Sequence, residues 1–217
     1  MGEIFFVRHG QASFGTADYD RLSPLGHQQS EWLGAHLAAN AQKFDRVICG
    51  SLRRHRETLA GLRKNMALGD VIEDPRLNEM NYHSMEDAFR AANPREDPRT
   101  AEALEAMFRE VMHAWDADTI RGVGESLAHF QARVMQAIAA HALPGQKILV
   151  VSSGGPKCVL MRHVLNLGIA ALTELILKTY NASYSRFEVT SARLRLLSFN
   201  AVPHLETRER LHALTVI

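Results

Sequence analysis

The chain has 217 residues, of which 46% are hydrophobic and 23% are charged, and its formal net charge is +1. This is enough apolar sequence for one α/β domain or two small ones, and the near-neutral charge argues against a general nucleic-acid-binding protein. The chain has no secretory signal and no apolar run of about 18 residues, the length of a membrane span, so we expect a cytoplasmic protein without a membrane partner.

The first predicted element is a buried strand over residues 4–7, which ends at Arg8, His9 and Gly10. Its apolar, β-branched and aromatic residues are typical of a strand inside a parallel sheet. Ligands bind beyond the carboxyl ends of such strands, so Arg8 and His9 are expected at the mouth of a pocket. Arg8 is a forked donor for phosphate or carboxylate, and His9 is a candidate nucleophile, base or ligand. On their own, these residues are more typical of a solvated strand end.

A polar loop over residues 11–22 precedes a predicted helix, for which Ser23 is a suitable N-cap and Pro24 a suitable first residue. The apolar spacing continues this helix to about residue 40. The next predicted elements are a buried strand over residues 44–49, a helix over residues 52–67 and a short strand over residues 70–73.

In the segment over residues 80–100 we expect a short helix near residues 85–92, and we interpret the segment as an excursion over the carboxyl edge of the sheet. The remaining predicted elements are helices over residues 101–115 and 127–142, a strand over residues 148–151, a helix from Pro156, a helix over residues 170–177 and a hairpin or meander over residues 184–199. The alternation of strands and helices predicts one α/β domain over residues 1–217, a three-layer sandwich in which helices flank a mostly parallel central sheet.

Polar segments follow several of these strands, at the edge where parallel strands end. The four segments are residues 8–10, 50–55, 77–79 and 152–155. Between them they contain arginines, a histidine, a carboxylate and the N-termini of helices. Cations and helix N-termini neutralise phosphate oxygens, an imidazole attacks phosphorus, and a carboxylic acid protonates the departing oxygen. The combination favours phosphoryl-transfer chemistry.

The order and spacing of these segments resemble those of the histidine phosphatase superfamily, which has the phosphoglycerate-mutase-like fold. The resemblance covers nearly the whole chain. The second family signature, Ser-Pro-Leu-x-Arg-Ala-x-x-Thr-Ala, aligns with Gly50 to Leu59 and puts Arg54 in phase with Thr58. The other matching positions are Arg8-His9-Gly10, Leu22 to Gly26 with Gln29, Leu77-Asn78-Glu79, Gly124-Glu125-Ser126, Asn181 and Asn200.

The resemblance implies a metal-independent phosphomonoesterase that needs no cofactor and acts through a phosphohistidine on a small phosphorylated molecule. It makes His9 the nucleophile and Glu79 the proton donor, with Arg8 and Arg54 as the arginines that hold the phosphate. The expected phosphate-binding residues are Arg8, Arg54, Gln11, Ser13, Ser153 and Gly154, and no metal ligands are expected.

One departure from the family pattern affects the expected pocket. The fourth strand of the family usually ends in Ser-His-Gly-Gly, whereas this chain has Ser153 in place of that histidine. Loss of such a preorganised donor typically costs about 10²–10³ in rate. His55, His83 and Lys157 are candidates to replace the imidazole, although a half-buried packing histidine, a solvated loop histidine and a surface lysine are the respective alternatives.

Two other functions remain open. Because Ser153 replaces the histidine, the chain is alternatively a catalytically weak or inactive module that binds phosphorylated ligands. A phosphoglycerate mutase is a lesser alternative, because Gln11 and Ala12 differ from the usual mutase residues after Arg-His-Gly, and only Glu79 and Tyr82 are kept around the acid. A Walker loop and a serine-hydrolase elbow are excluded by their missing spacings. The sequence identifies neither the substrate nor the oligomeric state.

Overall fold

The computed structural model describes residues 2–13, 18–94, 96–191 and 193–216. Its strands are β1 (Gly2–Arg8), β2 (Arg46–Cys49), β3 (Val71–Glu73), β4 (Lys147–Ser152), β5 (Tyr184–Val189) and β6 (Leu194–Ala201). Within the described residues they form a six-stranded sheet in the order β3-β2-β4-β1-β5-β6. The pairs β3-β2, β2-β4 and β4-β1 are parallel, whereas β5 is antiparallel to both β1 and β6. The predicted α/β fold with a mostly parallel sheet is therefore confirmed, and the predicted hairpin is present as β5 and β6.

Helices pack against both faces of the sheet. Consecutive residues of β1 point to opposite faces, so this strand contacts helices on each side. The α-helices are α1 (Pro24–Ala39), α2 (Arg53–Arg63), α3 (Tyr82–Ala92), α4 (Ala101–Asp116), α5 (Leu127–His141), α6 (Gly154–Leu165) and α7 (Ile169–Lys178). Phe5 and Val7 share a buried apolar cluster with residues of α1 and α2, whereas Ile4 and Phe6 share another with residues of α5 and α6. No helix in the described ranges combines the length and the hydropathy of a membrane span.

Most helix boundaries agree with the local sequence signals, and one differs in a way that matters for the site. The Ser23 side chain caps α1 by accepting a hydrogen bond from the Gly26 N–H, as predicted. However, α6 begins at Gly154, two residues before the predicted start at Pro156. Proline is tolerated in the first turn of a helix, where its missing N–H would have no partner anyway. The helix N-terminus therefore lies directly at the end of β4.

The excursion contains α3, and its helix caps come from local polar residues. Asn81 caps α3 by accepting a hydrogen bond from the Ser84 N–H, and Thr100 caps α4 in the same way. Met85 of α3 is buried in an apolar cluster with Met107 of α4. The excursion is therefore anchored to α4 by apolar packing.

The polar segments meet because β1, β2 and β4 are neighbours and end at the same edge. Arg8 and Ser152 are paired in the register of β1 and β4. Just past these ends, the His9 N–H donates to the Ser152 carbonyl at 2.8 Å, and the Gly50 N–H donates to the Val151 carbonyl at 3.0 Å. Residues that are far apart in the sequence are thereby brought together at one edge of the sheet.

Candidate active site

His9 is buried at the end of β1, with only 3% of the residue exposed. Its Nδ1 lies 2.7 Å from the Gly10 carbonyl oxygen, and its Nε2 lies 3.2 Å from the Nε of Arg54. A carbonyl oxygen only accepts and a guanidinium only donates, so the proton is assigned to Nδ1 and the lone pair to Nε2. The nitrogen with the lone pair therefore faces Arg54.

The electrostatic surroundings of His9 keep its imidazole neutral. Burial lowers the pKa of His9 well below its ordinary value of 6.5, and the charges of Arg54 and Arg8 lower it further. A neutral imidazole has the free lone pair that nucleophilic attack requires. Burial and the two cations thus favour the neutral form of His9, the form that a nucleophile requires.

Arg54 lies in the first turn of α2 and is 6% exposed. Its Nη1 donates to a carboxylate oxygen of Asp20 at 2.7 Å, and its guanidinium lies over the Tyr19 ring at 5.4 Å from the centroid. The other carboxylate oxygen of Asp20 accepts from the Arg53 N–H at 2.9 Å. Asp20 is a site residue that sequence reasoning missed, because nothing in the polar loop distinguished it from Asp18.

Thr58 links the loop of the nucleophile to the helix of Arg54. Its buried hydroxyl oxygen accepts from the Gly10 N–H at 3.0 Å, and the hydroxyl donates to the Arg54 carbonyl at 2.8 Å. The Thr58 side chain therefore bonds two buried backbone groups. Without it the Gly10 N–H would be a buried unpaired donor, which costs about 1–3 kcal/mol of stability. This contact gives the phase between Arg54 and Thr58 a physical reason.

The guanidinium of Arg8 is anchored through one nitrogen, and its Nε is available as a donor. Its Nη1 donates to the Thr179 carbonyl oxygen. Its Nε is buried without a hydrogen-bond partner in the described part of the chain. Burial lowers the pKa of Arg8, and the charge of Glu79 opposes that shift. Since buried donors are normally paired, the free Nε of Arg8 is suited to an anion that enters the pocket.

Glu79 is oriented by the N-terminus of α6. One of its carboxylate oxygens accepts from the Gly155 N–H at 3.0 Å, and the other accepts from the Met80 N–H at 3.1 Å. The alternative of an unconstrained surface carboxylate does not fit this half-buried, doubly bonded side chain. The carboxyl group of Glu79 is thereby directed to the same edge as His9.

The chain segment before Glu79 is held by an ion pair from α5. Arg133 donates to the carbonyl oxygens of Arg76 and Asn78 at 2.7 and 2.8 Å, and it pairs with both carboxylate oxygens of Glu125 at 2.7 and 2.9 Å. Ser126 caps α5 by accepting from the His129 N–H. Glu125 of the Gly-Glu-Ser segment therefore positions Arg133, and Arg133 holds the backbone just before Glu79.

Ser153 is fully buried, and it lies at the N-cap position of α6 without capping the helix through its side chain. Its Oγ lies 2.7 Å from the Nε2 of His55 instead. His55 is fully buried, and its ring centroid is 5.8 Å from that of His9. Of the three candidates to replace the imidazole, His55 is the one that directly contacts Ser153.

The other two candidates lie elsewhere. Lys157 is fully buried, so the alternative of a surface lysine is wrong, and its Nζ donates to the Ser183 hydroxyl oxygen at 2.6 Å. Burial lowers the pKa of Lys157 to about 7. His83 is exposed on α3, where its ring stacks edge-on against Tyr19 at a centroid distance of 5.9 Å. Tyr19 also lies against Arg54, so the excursion reaches the edge of the site through His83.

The loop residues expected to bind phosphate form bonds that close the loop. The amide oxygen of Gln11 accepts from the Ser23 hydroxyl at 2.8 Å, and the Gln11 N–H donates to the Gln29 side-chain oxygen at 2.8 Å. The Ser13 N–H donates to the Arg21 carbonyl at 2.9 Å. The phosphate-binding roles of Gln11 and Ser13 stay predictions.

Gly154 and the late asparagines complete the set of matched residues. As the first residue of α6, Gly154 has an N–H with no partner within the helix, and a Cβ at this position would lie 3.5 Å from the Nε of Arg8. Asn181 and Asn200 have structural bonds, since their side-chain oxygens accept from the Thr215 hydroxyl and from the Tyr180 N–H, each at 2.8 Å. Within the described residues, no group of three or more His, Cys, Asp or Glu side chains could hold a metal ion.

The sequence and the fold are both similar to those of proteins described as phosphoserine phosphatases. A metal-independent phosphoserine phosphatase of Arabidopsis thaliana is 24% identical over 213 residues, covering 94% of this chain and 84% of the relative. A solved structure of phosphoserine phosphatase from Entamoeba histolytica, in complex with 3-phosphoglyceric acid, superposes with a TM-score of 0.70 at 18% identity, covering 94% of this chain and all of that one.

A bacterial relative and a family model give the assignment. A 2,3-bisphosphoglycerate-dependent phosphoglycerate mutase of Rhizobium etli is 30% identical over 168 residues, covering 70% of this chain and 74% of the relative. The model of the histidine phosphatase superfamily (branch 1) matches residues 4–202. The chain therefore belongs to the histidine phosphatase superfamily.

Proposed function

We propose that this protein is a metal-independent phosphomonoesterase that hydrolyses a small phosphorylated molecule through a phosphohistidine at His9. The observation that carries the proposal is the state of that imidazole, which is buried and neutral, with its Nε2 lone pair facing Arg54. The unpaired Nε of Arg8 supplies a second donor for the same anion. Phosphoryl transfer depends mainly on such positioning and charge neutralisation.

In the first half of the reaction, the phosphate of the substrate enters between Arg8, Arg54 and the N-terminus of α6. The Nε–H of Arg54 turns from His9 to a phosphate oxygen, which frees the lone pair on Nε2. His9 then attacks phosphorus in line, while the Nδ1–H bond to Gly10 holds the ring. The carboxyl group of Glu79, protonated for this step, gives its proton to the leaving oxygen, a type of assistance that contributes about 10²–10⁴ in rate.

In the second half, water replaces the alcohol. The carboxylate of Glu79 removes a proton from this water, whose oxygen attacks the phosphorus of phosphohistidine. The P–N bond breaks, His9 recovers the lone pair on Nε2, and inorganic phosphate leaves, while Glu79 keeps the proton taken from the water and is ready for the next cycle. The same carboxyl group acts first as acid and then as base, because both steps occur at the same face of the phosphorus.

The excursion borders the proposed site through His83. The Tyr19 ring lies between Arg54 and His83 of α3, so this part of the chain borders the side of the pocket where the leaving group would sit. Loops in such positions commonly determine which substrate is accepted. The similarity to phosphoserine phosphatases favours a phosphorylated metabolite over a nucleic acid or a membrane component.

The test of the proposed function is a comparison of wild type with His9→Ala on an aryl phosphate. We expect turnover to be abolished in the variant and to persist in the wild type with a chelator present. Rapid alkaline quenching of wild type with ³²P-labelled substrate should trap a phosphoenzyme that is stable in alkali and loses its label in acid. His163→Ala, at an exposed position near the end of α6, is the matched control and should keep full activity. Equal turnover in His9→Ala would end the proposal.

Two alternatives predict different results in the same experiments. A binding module that lacks turnover because of Ser153 would bind phosphorylated metabolites, without hydrolysis and without phosphohistidine. A mutase, which the similarity to the Rhizobium etli enzyme favours, would interconvert 3- and 2-phosphoglycerate in a coupled assay. The phosphomonoesterase should release inorganic phosphate and show no such interconversion.

A further inference from the structure

Three departures from the family signatures lie in one place in this fold. The signatures have serine, alanine and histidine where this chain has Gly50, His55 and Ser153. The imidazole of His55 contacts Ser153 at 2.7 Å, and a Cβ on Gly50 would lie only 2.2 Å from the Nδ1 of His55. Any side chain at position 50 would therefore displace the ring. Gly50 makes the space, His55 fills it, and Ser153 receives the contact.

The proton of His55 is assigned by its two ring nitrogens. Burial lowers the pKa of His55 well below 6.5, and Arg54 lowers it further, against a smaller opposing contribution from the Gly50 backbone, so the ring carries one proton. Its Nδ1 is buried, and the Gly50 backbone beside it does not meet hydrogen-bond geometry. An orphaned N–H costs more than an orphaned lone pair. The proton is therefore assigned to Nε2, as the donor to the Oγ of Ser153.

This assignment leaves the hydrogen of the Ser153 hydroxyl available. The hydroxyl oxygen is occupied as an acceptor by His55, and the side chain makes no capping bond to α6. Ser153 follows Ser152, whose carbonyl accepts from the His9 N–H, and precedes Gly154, the first residue of α6. Ser153 therefore lies at the N-terminus of α6, and the His55 ring that it contacts has its centroid 5.8 Å from that of His9.

We propose that His55 and Ser153 together take the place of the missing pocket histidine, with Ser153 as the donor to the phosphoryl oxygen and His55 as the residue that positions it. This inference rests on the proposed function. The Nε2–H of His55 fixes the orientation of the hydroxyl and polarises it, so that the O–H is directed at the phosphoryl group before the substrate arrives. An imidazole is thus still present beside position 153, but it belongs to His55 of α2 and not to the residue that follows β4.

The experiment compares variants that keep or remove the donor at position 55. Ser153→Ala should lower kcat/KM on an aryl phosphate by about 10²-fold, as for other preorganised donors. His55→Met fills the space without donating and should lower kcat/KM nearly as much. His55→Gln places an amide N–H near the position of Nε2 and should recover most of the loss. The double variant His55→Met with Ser153→Ala should be no slower than Ser153→Ala alone, because the two residues act as a unit.

Calorimetric titration with inorganic phosphate separates this inference from the proposed function. If wild type neither hydrolyses the substrate nor forms phosphohistidine, the proposed function fails. The affinity for inorganic phosphate still measures the contribution of His55 and Ser153 in that case. Affinity should then fall about tenfold in Ser153→Ala and in His55→Met, and should recover in His55→Gln, with melting temperatures measured to exclude unfolding. Wild-type behaviour of His55→Met, or additive losses in the double variant, would overturn the inference. A gain in activity from Ser153→His alone would also overturn it, because the imidazole of His55 already fills that space.

Discussion

Replacement of Gly155 by alanine tests the orientation of the acid directly. A Cβ at this position would lie 2.0 Å from a carboxylate oxygen of Glu79 and 2.7 Å from the Sδ of Met80. Both atoms are at the ends of flexible side chains, so these groups should move while the helix stays in place. Glu79 would then lose its hydrogen bond to the Gly155 N–H. Gly168→Ala, at the N-cap position of α7, is the control, since a Cβ there would have no atom of the described residues within 4 Å.

The expected stability change is small and the expected rate change is large. Loss of a hydrogen bond to a charged group costs about 1.5–3 kcal/mol, and alanine in place of glycine in a helix returns about 0.5–1 kcal/mol. Stability should therefore fall by about 0.5–2.5 kcal/mol, measured by urea unfolding. A misplaced general acid should lower kcat/KM on an alkyl phosphate by about 10²–10³-fold.

The leaving group provides the decisive comparison for Gly155→Ala. Nitrophenolate leaves without protonation, so kcat/KM on p-nitrophenyl phosphate, which reports the steps up to phosphorylation of His9, should fall about tenfold or less. A poor alkyl leaving group should show the full loss. Equal losses on the two substrates, or wild-type rates on the alkyl phosphate, would refute the assignment of Glu79 as the oriented acid.

Two further predictions concern positioning and pH. Arg133→Met should lower kcat on an alkyl phosphate about tenfold, equivalent to ~1.4 kcal/mol of lost positioning, whereas the rate on p-nitrophenyl phosphate should change little. His204 is buried, and burial with the charges of His36 and Arg210 lowers its pKa from 6.5 to about 3. The unfolded chain therefore binds a proton below pH 6.5 that the folded protein excludes, so the free energy of unfolding should fall with decreasing pH, by about 2 kcal/mol at pH 5 from this group. His204→Phe should remove that part of the pH slope in urea titrations, and the exposed His163→Gln should leave the slope unchanged.

The fold could be predicted because its signals are local. The apolar run of β1 and the Ser23 cap of α1 each depend on a few neighbouring residues, and both are present where the sequence indicated. The start of α6 was harder, because a proline in the first turn is compatible with a helix that begins before it. The displacement by two residues puts the Gly155 N–H, instead of a loop amide, against Glu79.

The contacts within the site could not be predicted, because they join residues that only the sheet brings together. His55 and Ser153 are 98 residues apart, and nothing in either segment indicates that their side chains meet. The pairing of Asp20 with Arg54 depends on how the polar loop folds back over α2. Burial of Lys157 depends on the packing of α6 against the sheet, whereas its position in a first helical turn favoured the surface.

The central place of β1 has a consequence for how the protein folds. Its two neighbours in the sheet are β4 and β5, so Ile4 pairs with Ile148 and with Phe187. These pairings close very long loops, and contacts of such high sequence separation are slow to form. The nucleophile at the end of β1 therefore gains its surroundings only when the distant parts of the chain have returned to it. Regain of activity after dilution from denaturant should lag behind the recovery of helical signal in circular dichroism.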